Sequence, residues 1–412
     1  MNSEMKVAIV GAGVAGLVAA IELEKAGIAA AIYESTDKVG GRVKTDCKDG
    51  YRFDHGFQVL LTAYPELGRY LDMEKLQLQR FRPGSVTYVG SRALRIVDPI
   101  RQPSGLFTAM FSAIGSPMDK WRIWRLSSIL KQTTIKEIFN RPSTRTIDYL
   151  REKGFSERII KLFFRPFFSG IFLEKDLKTS SRLFEFIFKM FSEGYAAIPK
   201  MGMQAIPDQL FGQLKKTDIH FNSPVKSIAD GRVTTARGAM AYDAVVIAAE
   251  PHKILTDYQA AERSYESTLN LYFKAPRVQS RRLIGLFTDP PVNNIAVLSD
   301  VASDYSPIGE SLISVSLIDN LKEADDSLVE EVKNVLSKSL KIKKDRLHLL
   351  QSFYIPRALP EVSSPSMHLD RDQVVYEKGV YLAGDYLLGG SINGAMLSGR
   401  RAAEELLADF MA

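Results

Sequence analysis

Residues 6–45 constrain this chain more than any other stretch. An apolar run, Val7 to Val10, is followed by Gly11, Gly13 and Gly16 at the spacing GxGxxG, and then by a helical stripe of Val14, Leu17, Val18 and Ile21. The pattern predicts strand, tight turn and helix. The first glycine permits the turn, the second lets a pyrophosphate approach the backbone, and the third lets the helix pack closely on the strand. The helix start then faces phosphate. A second strand, Ala31 to Glu34, ends in a carboxylate roughly 20 residues past the glycines, placed to accept hydrogen bonds from ribose hydroxyls and to disfavour a 2′-phosphate. With Ala12, Ala15 and Ser35 flanking these positions, the stretch predicts a site for one end of a dinucleotide.

A glycine pair with a basic residue, Gly40-Gly41-Arg42, comes next, and an ordinary nicotinamide site has no evident use for it. With this addition, GAGVAGL, YES and VGGRVKT resemble the N-terminal signature of the FAD-dependent amine oxidase superfamily, which includes monoamine and polyamine oxidases, protoporphyrinogen oxidases and phytoene desaturase-like enzymes. The glycine turn alone would also suit an NAD site. The resemblance implies FAD, with Gly11, Ala12, Gly13, Ala15, Gly16, Glu34, Ser35, Gly41 and Arg42 among its contacts.

The resemblance extends along the chain, strongly at its ends and loosely in its middle. YRFDHGFQVLL, Tyr51 to Leu61, alternates like a strand around Gly56. In the family such a segment passes beside the isoalloxazine ring, which implies contacts from Gly56, Phe57 and Gln58; glycine there lets backbone approach a flat ligand. His55 reads as a hydrogen-bonded structural histidine in preference to a catalytic base. YAAIPKMGMQAIPDQL resembles the family's proline-glycine-glycine-methionine helix start, except that Met201 stands where a glycine is usual. Short strands around an Asp230-Gly231 turn follow, and by resemblance the Val225 backbone would hydrogen-bond the adenine. At the C-terminus, GVYLAGDYLLGGSINGAMLSGR is the second strong signature. It implies Gly384 and Asp385 by the pyrophosphate and ribitol. It also implies a helix starting near Ile392 and Asn393, with main-chain donors of Asn393 and Gly394 against the flavin edge that gains negative charge on reduction.

The chain's 412 residues, 45% of them hydrophobic, leave room for about two or three domains. The expected fold is α/β: a discontinuous Rossmann-like FAD-binding domain with a β-meander, from residues 1–75, 195–260 and 355–412, and a mixed α+β substrate domain from 76–194 and 261–354. Residues 76–194 read as helical, with Trp121, Trp124 and Leu126 in one segment, and Leu328 to Leu340 as an amphipathic helix. IIKLFFRPFFSGIFL and RLFEFIFKMF are rich in phenylalanine. Individually these are core positions; together they suit the wall of a cavity for a small hydrophobic substrate. In the amine-oxidising branch the strand matching STLNLYFKAP commonly presents a lysine that bridges through water to the flavin. Here Ser267, Thr268 and Asn270 fill the strand body and Lys274 comes at its end, which moves weight to the desaturase-like branch.

The net charge of +6 is spread along the chain, so nucleic acid is not an expected partner, whereas weak attraction to an anionic membrane surface is open. The longest uncharged run, Gln102 to Met118, is interrupted by Pro103, Gly105, Gly115 and Pro117. It suits a buried helix better than an interfacial one and is too broken to cross a bilayer. One cysteine, Cys47, allows no intramolecular disulfide, suits a reducing, cytoplasmic setting and leaves no C-terminal thiol for a covalent flavin bond. A second GxGxxG, a CxxC and a GxSxG are all missing. The expected function is an FAD-dependent oxidoreductase, with non-covalent FAD, removing hydride from an apolar substrate in a desaturase-like or protoporphyrinogen-oxidase-like reaction, isoprenoids included. The alternatives are an amine oxidase releasing hydrogen peroxide and a non-catalytic FAD-binding protein. The sequence assigns no catalytic side chain, electron acceptor or oligomeric state.

Overall fold

The computed structural model describes residues 5–90, 92–97, 114–255, 258, 264–318, 321–362 and 364–411. Most of the uncharged run Gln102 to Met118 lies outside the described residues, so neither reading of it is tested. A six-stranded sheet organises the cofactor-type half. Its order is Asp218–His220, Ala30–Tyr33, Val7–Val10, Ala244–Ile247, Val380–Leu382, Val375–Glu377, all parallel except the last. VAIV and AVVI are buried at every position, as strands covered on both faces must be. Helices Val14–Lys25 and Ile392–Met411 pack on each other so closely that a Cβ at Gly399 would lie 2.1 Å from the Ala15 carbonyl oxygen. Because the strands run parallel, the chain leaves Val10, Tyr33, Ile247 and Leu382 at one common edge. Ligands of open α/β sheets bind at that carboxyl edge.

A three-stranded antiparallel meander, Ser227–Ala229, Arg232–Thr235 and Gly238–Ala241, follows the strand Asp218–His220. Asp230 (φ 49°) and Gly231 (φ 67°) form its first turn, both in the left-handed region that a two-residue hairpin needs.

The second large sheet has seven strands, ordered His348–Pro360, Tyr265–Pro276, Glu310–Leu317, Val292–Val297, Ile284–Phe287, Gly84–Val89, Arg92–Val97. One face, with Leu269, Leu271, Phe273, Ile313 and Val315, is covered by Val329, Val332 and Leu336 of the amphipathic helix Asp326–Leu340. The other face carries Thr268, Asn270, Tyr272, Ser314 and Ser316, all at most 7% exposed. Strand His348–Pro360 runs unbroken through the domain boundary expected at residue 355.

The hairpin Gly84–Val97 also corrects the helical expectation for residues from 76 onward. Ser85 and Thr87, both 0% exposed, are its inward residues, so the usual alternation of apolar inside and polar outside is inverted and the strand period was hidden. Among the described residues after this hairpin the first helix is Pro117–Gln132, and in the helices that follow Phe164, Phe168, Phe184 and Phe186 are packed out of contact with water, which makes these four core residues. Phe163, Phe167 and Phe191 are partly buried and pack on that core.

Candidate functional site

The glycine turn has the geometry its spacing predicts. Gly11 holds φ +101°, and a Cβ there would stand 2.9 Å from the Ala248 oxygen; at Gly16 a Cβ would stand 2.0 Å from the Gly11 oxygen. Neither position can take a side chain. Gly13 differs, because its nearest neighbour would be the Gly41 Cα at 3.9 Å. The turn and the Gly40–Arg42 loop therefore pack backbone against backbone, a Cβ at Gly41 reaching within 3.4 Å of the Gly13 Cα, and the loop is held by the Gly40 N–H donating to the Ala12 oxygen at 2.9 Å. Among the described residues no side chain caps helix Val14–Lys25, and its first turn has no acid. Ala15, buried in that turn, is pressed by the closing helix, and its N–H belongs to the open N-terminus. Unclaimed N–H groups leave about half a positive charge there, which suits a phosphate.

Glu34 is 5% exposed and holds this architecture together. Its Oε2 accepts the Ala12 N–H at 2.8 Å, and its Oε1 accepts the Thr36 N–H at 2.9 Å, the Thr36 hydroxyl at 2.8 Å and the Ser35 hydroxyl at 3.2 Å. Oε1 is thus crowded by three donors, while Oε2 takes one and keeps its second lone pair for a further donor. Nearby, Ser223 N–H donates to the Glu34 carbonyl. Val225, just before the meander and not inside it, is partly buried; among the described residues nothing hydrogen-bonds its main chain. Both its polar groups face a ligand or water.

The two sequence signatures meet through charge. Arg42 donates to the Asp385 carboxylate and, at 3.4 Å, to the Ala358 oxygen. The crowded surroundings work against the Arg42 charge, but Asp385, by attraction and hydrogen bond, outweighs them and holds the guanidinium above its ordinary pKa. The Arg42 side chain stays 41% exposed, so part of its fork remains open. Gly384 enters this bend at φ +154° with its N–H on the Ser398 hydroxyl at 2.9 Å. Gln58 Nε2 donates to the Arg42 oxygen at 2.9 Å and the His55 oxygen at 3.1 Å, tying the two N-terminal loops together.

Expected as one alternating strand, Tyr51 to Leu61 is broken. It is a strand only over Tyr51–Asp54 and Leu60–Leu61, because Gly56 turns at φ +87°. A Cβ at Gly56 would lie 2.8 Å from the Ile355 side chain. Phe57 faces the Phe81 ring edge-on at 6.1 Å. His55 bonds Asp46 at 2.8 Å and lies on the Phe353 ring, 4.6 Å between centroids, which makes it structural.

Asp54 beside it, part of the family-like segment, was given no role by the sequence reading. It accepts the Thr45 hydroxyl at 2.5 Å, the Met203 N–H at 2.9 Å and the Tyr305 hydroxyl at 2.8 Å, and its carbonyl accepts the Tyr272 hydroxyl at 2.8 Å. Burial pushes its carboxyl above the ordinary range in spite of those donors. Glu250, just past strand Ala244–Ile247, was missed as well; it pairs with Arg357, whose guanidinium lies 5.4 Å from the Tyr265 ring centroid. No spacing rule could have found a pair 107 residues apart.

The closing helix begins at Ile392, as expected, but its donors differ. The Gly394 N–H is already taken by the Ser391 hydroxyl at 3.0 Å, leaving the N–H groups of Ile392 and Asn393. A Cβ at Gly394 would lie 3.3 Å from the Ser391 hydroxyl and 3.4 Å from the Leu388 Cβ. The Asn393 side chain is 2% exposed and accepts the Glu66 N–H at 3.1 Å, so it holds the helix to the N-terminal segment.

On strand Tyr265–Pro276, Thr268 and Asn270 are consumed by hydrogen bonds to Leu317, Ser314 and Ser316, and Lys274 lies 4.0 Å from Glu310. A cavity of about 460 Å³ opens where helix residues Ile160, Lys161 and Arg165 meet Phe287 and Val292. Val292, Leu317, Leu269 and Tyr354 form one row across the sheet, so this cavity sits three strand spacings, roughly 14 Å, from the strand that touches Gly56.

Comparison with known proteins agrees with this geometry. A stretch of 168 residues is 25% identical to protoporphyrinogen oxidase 2 of Arabidopsis thaliana, covering 41% of this chain and 32% of that protein. Another of 82 residues is 38% identical to a 4,4'-diapophytoene desaturase of Staphylococcus haemolyticus, covering 18% and 16%. The chain thus spans about a third or less of these curated relatives. The structure of putrescine oxidase bound to putrescine superposes with a TM-score of 0.72 over 98% of this chain and 99% of that one, at 17% identity, a likeness of fold alone. The pattern of the flavin containing amine oxidoreductases matches residues 14–407, and with both ends of that pattern converging on Arg42 and Asp385, the chain belongs to this family of flavin-dependent oxidoreductases.

Proposed function

We propose that the protein binds FAD non-covalently along the carboxyl edge of the six-stranded sheet and dehydrogenates an apolar substrate, in a desaturase-like or protoporphyrinogen-oxidase-like reaction. The observation that carries the reading is the Arg42–Asp385 pair, which joins the loop after the glycine turn to the bend before helix Ile392–Met411. The glycine turn free of side chains, the uncapped helix start and the unpartnered Val225 backbone fit a dinucleotide. Val225 would take the adenine edge, Glu34 Oε2 a ribose hydroxyl, the first turn of Val14–Lys25 and Arg42 the pyrophosphate, and Ile392 and Asn393 N–H the flavin edge. Gly56 to Gln58 would pass along the ring. When bound, FAD supplies the hydride acceptor.

The chain supplies position, a water-poor surround and N–H groups at the edge where charge develops. Lys274, paired with Glu310, gives no support to amine oxidation. Cys47, exposed on the strand Thr45–Lys48, gives none to a covalent flavin bond. In the test, the purified yellow protein is mixed anaerobically with phytoene, with protoporphyrinogen and with putrescine. Bleaching of the flavin band by one of the two apolar substrates is expected. Bleaching by putrescine alone would refute the reading.

A further inference from the structure

Both tryptophans of the chain stand on the outward face of one helix, Pro117–Gln132, with Trp121 49% and Trp124 53% exposed. Met118 and Ile129 share that face at 52% and 43%. Asp119, Leu126, Ser127 and Leu130 occupy the opposite, buried face. Indole is the costliest side chain to leave in water, and two on one surface call for a partner.

The helix is firmly held in this orientation. Ser116 and Asp119 form a reciprocal cap, Asp119 also accepts the Ser156 N–H at 2.9 Å, and Lys189 Nζ donates to the Leu130 and Lys131 carbonyls at 2.9 and 3.1 Å. Its charges are one-sided. Lys120, Arg122, Arg125 and Lys131 are cations, and the one acid, Asp119, is buried in the cap. The Arg125 guanidinium sits 5.4 Å from the Trp121 ring centroid, so cation and indole form one surface. No described helix is long and apolar enough to cross a membrane.

We propose that this face docks on an anionic lipid bilayer. The helix lies in the interface, its indoles at headgroup depth and Arg125 and Lys131 toward lipid phosphates. A second copy of the chain is a poor occupant, because a two-fold contact through this face would set the same arginines against each other. The helix packs on Ser181–Glu193, with Ser127 bonded to Ser192, and Leu183 of that helix lies 3.4 Å from where a Cβ at Gly389 would be. One helical layer therefore separates the surface from the Gly389-Gly390 loop. The inference stands on the exposed face and not on the cofactor reading.

Because the chain has no other tryptophan, its tryptophan emission, excited selectively at the red edge where tyrosine does not absorb, reports this face alone. The full-length, flavin-loaded protein is titrated with vesicles of equal parts phosphatidylcholine and phosphatidylglycerol, and with vesicles of phosphatidylcholine only. The expected result is a blue shift with the anionic vesicles, quenching by brominated acyl chains, co-flotation, and release by salt. Arg125→Glu, an exposed change, should weaken flotation about tenfold while the flavin content stays unchanged. No shift and no flotation with the anionic vesicles would overturn the proposal. Equal binding to neutral vesicles would overturn it too, as would a blue shift that tracks protein concentration without lipid, since that would assign the face to a second copy.

Discussion

Replacing Glu34 with alanine tests the centre of the site, because this one carboxylate serves both the protein and the proposed cofactor. The Thr36 and Ser35 hydroxyls that donate to Oε1 can turn to water when it is removed. Ala12 cannot: it is 0% exposed, and its N–H points at Glu34 Oε2 over 2.8 Å. Stranding one buried N–H costs about 1–3 kcal/mol of stability, which should lower the urea midpoint of the cofactor-free protein. The ribose contact is separate. A hydrogen bond to a charged acceptor contributes about 1.5–3 kcal/mol, so FAD should bind roughly ten- to a hundredfold more weakly. Glu34→Gln separates the two effects. Its amide oxygen can still accept the Ala12 N–H, while its NH2 group meets the Thr36 N–H, so stability should return in part, and the loss of charge keeps FAD binding weakened. The assays are urea unfolding of the apoprotein and fluorescence titration of FAD for all three proteins. An alanine variant with an unchanged midpoint and an unchanged Kd would refute both the structural and the cofactor role.

Arg42→Ala should leave Asp385, 8% exposed, without its cation and weaken FAD retention by about 1–3 kcal/mol, read as flavin lost on gel filtration. Asn393→Ala should strand the buried Glu66 N–H and lower apoprotein stability by about 1–3 kcal/mol in urea unfolding, with no shift of flavin potential. Glu266 gives a pH dependence: burial, then the Glu361 carboxyl beside it, pushes its pKa up to about 7. The native state therefore binds more protons than the unfolded chain between about 4.5 and 7, and stability falls as pH rises through that window. Glu266→Gln should raise Tm at pH 8 and leave it unchanged near pH 4.5, measured by thermal melts.

What could be seen in the sequence was what depends on local backbone geometry. Gly11, Gly16 and Gly56 announce themselves because no side chain fits there, and the strands Val7–Val10 and Ala244–Ile247 because burial on both faces demands unbroken apolar runs. What stayed hidden depends on partners far along the chain. Asp54 gathers donors from Thr45, Met203 and Tyr305, and nothing around residue 54 predicts their arrival. The strand Gly84–Val89 was masked for a related reason: Ser85 and Thr87 are inward because the face they join is polar, a property of the whole sheet. Gly394 shows the limit from the other side. Its place at a helix start was legible, but the Ser391 hydroxyl took the N–H that a ligand was expected to use.

The Asp54 cluster also explains how the hairpin strand Tyr51–Asp54 and the seven-stranded sheet can present one site. Asp54 ends the strand Tyr51–Asp54, one residue before the loop His55–Gln58 proposed to pass along the flavin. Tyr272 belongs to the seven-stranded sheet, and Tyr305 lies between two of its strands. Both hydroxyls converge on Asp54, one on its carboxyl and one on its carbonyl. Directional bonds to a group buried at 2% exposure tolerate little displacement, because a donor that drifts leaves a buried polar atom unpaired at about 1–3 kcal/mol. Apolar packing between the halves, such as Ile355 on Gly56, fixes how near they lie but permits sliding. The hydrogen bonds fix register. Asp54 is therefore the residue through which the position of the substrate-side sheet is referred to the loop beside the proposed flavin, its own carboxyl being spent on Thr45, Met203 and Tyr305.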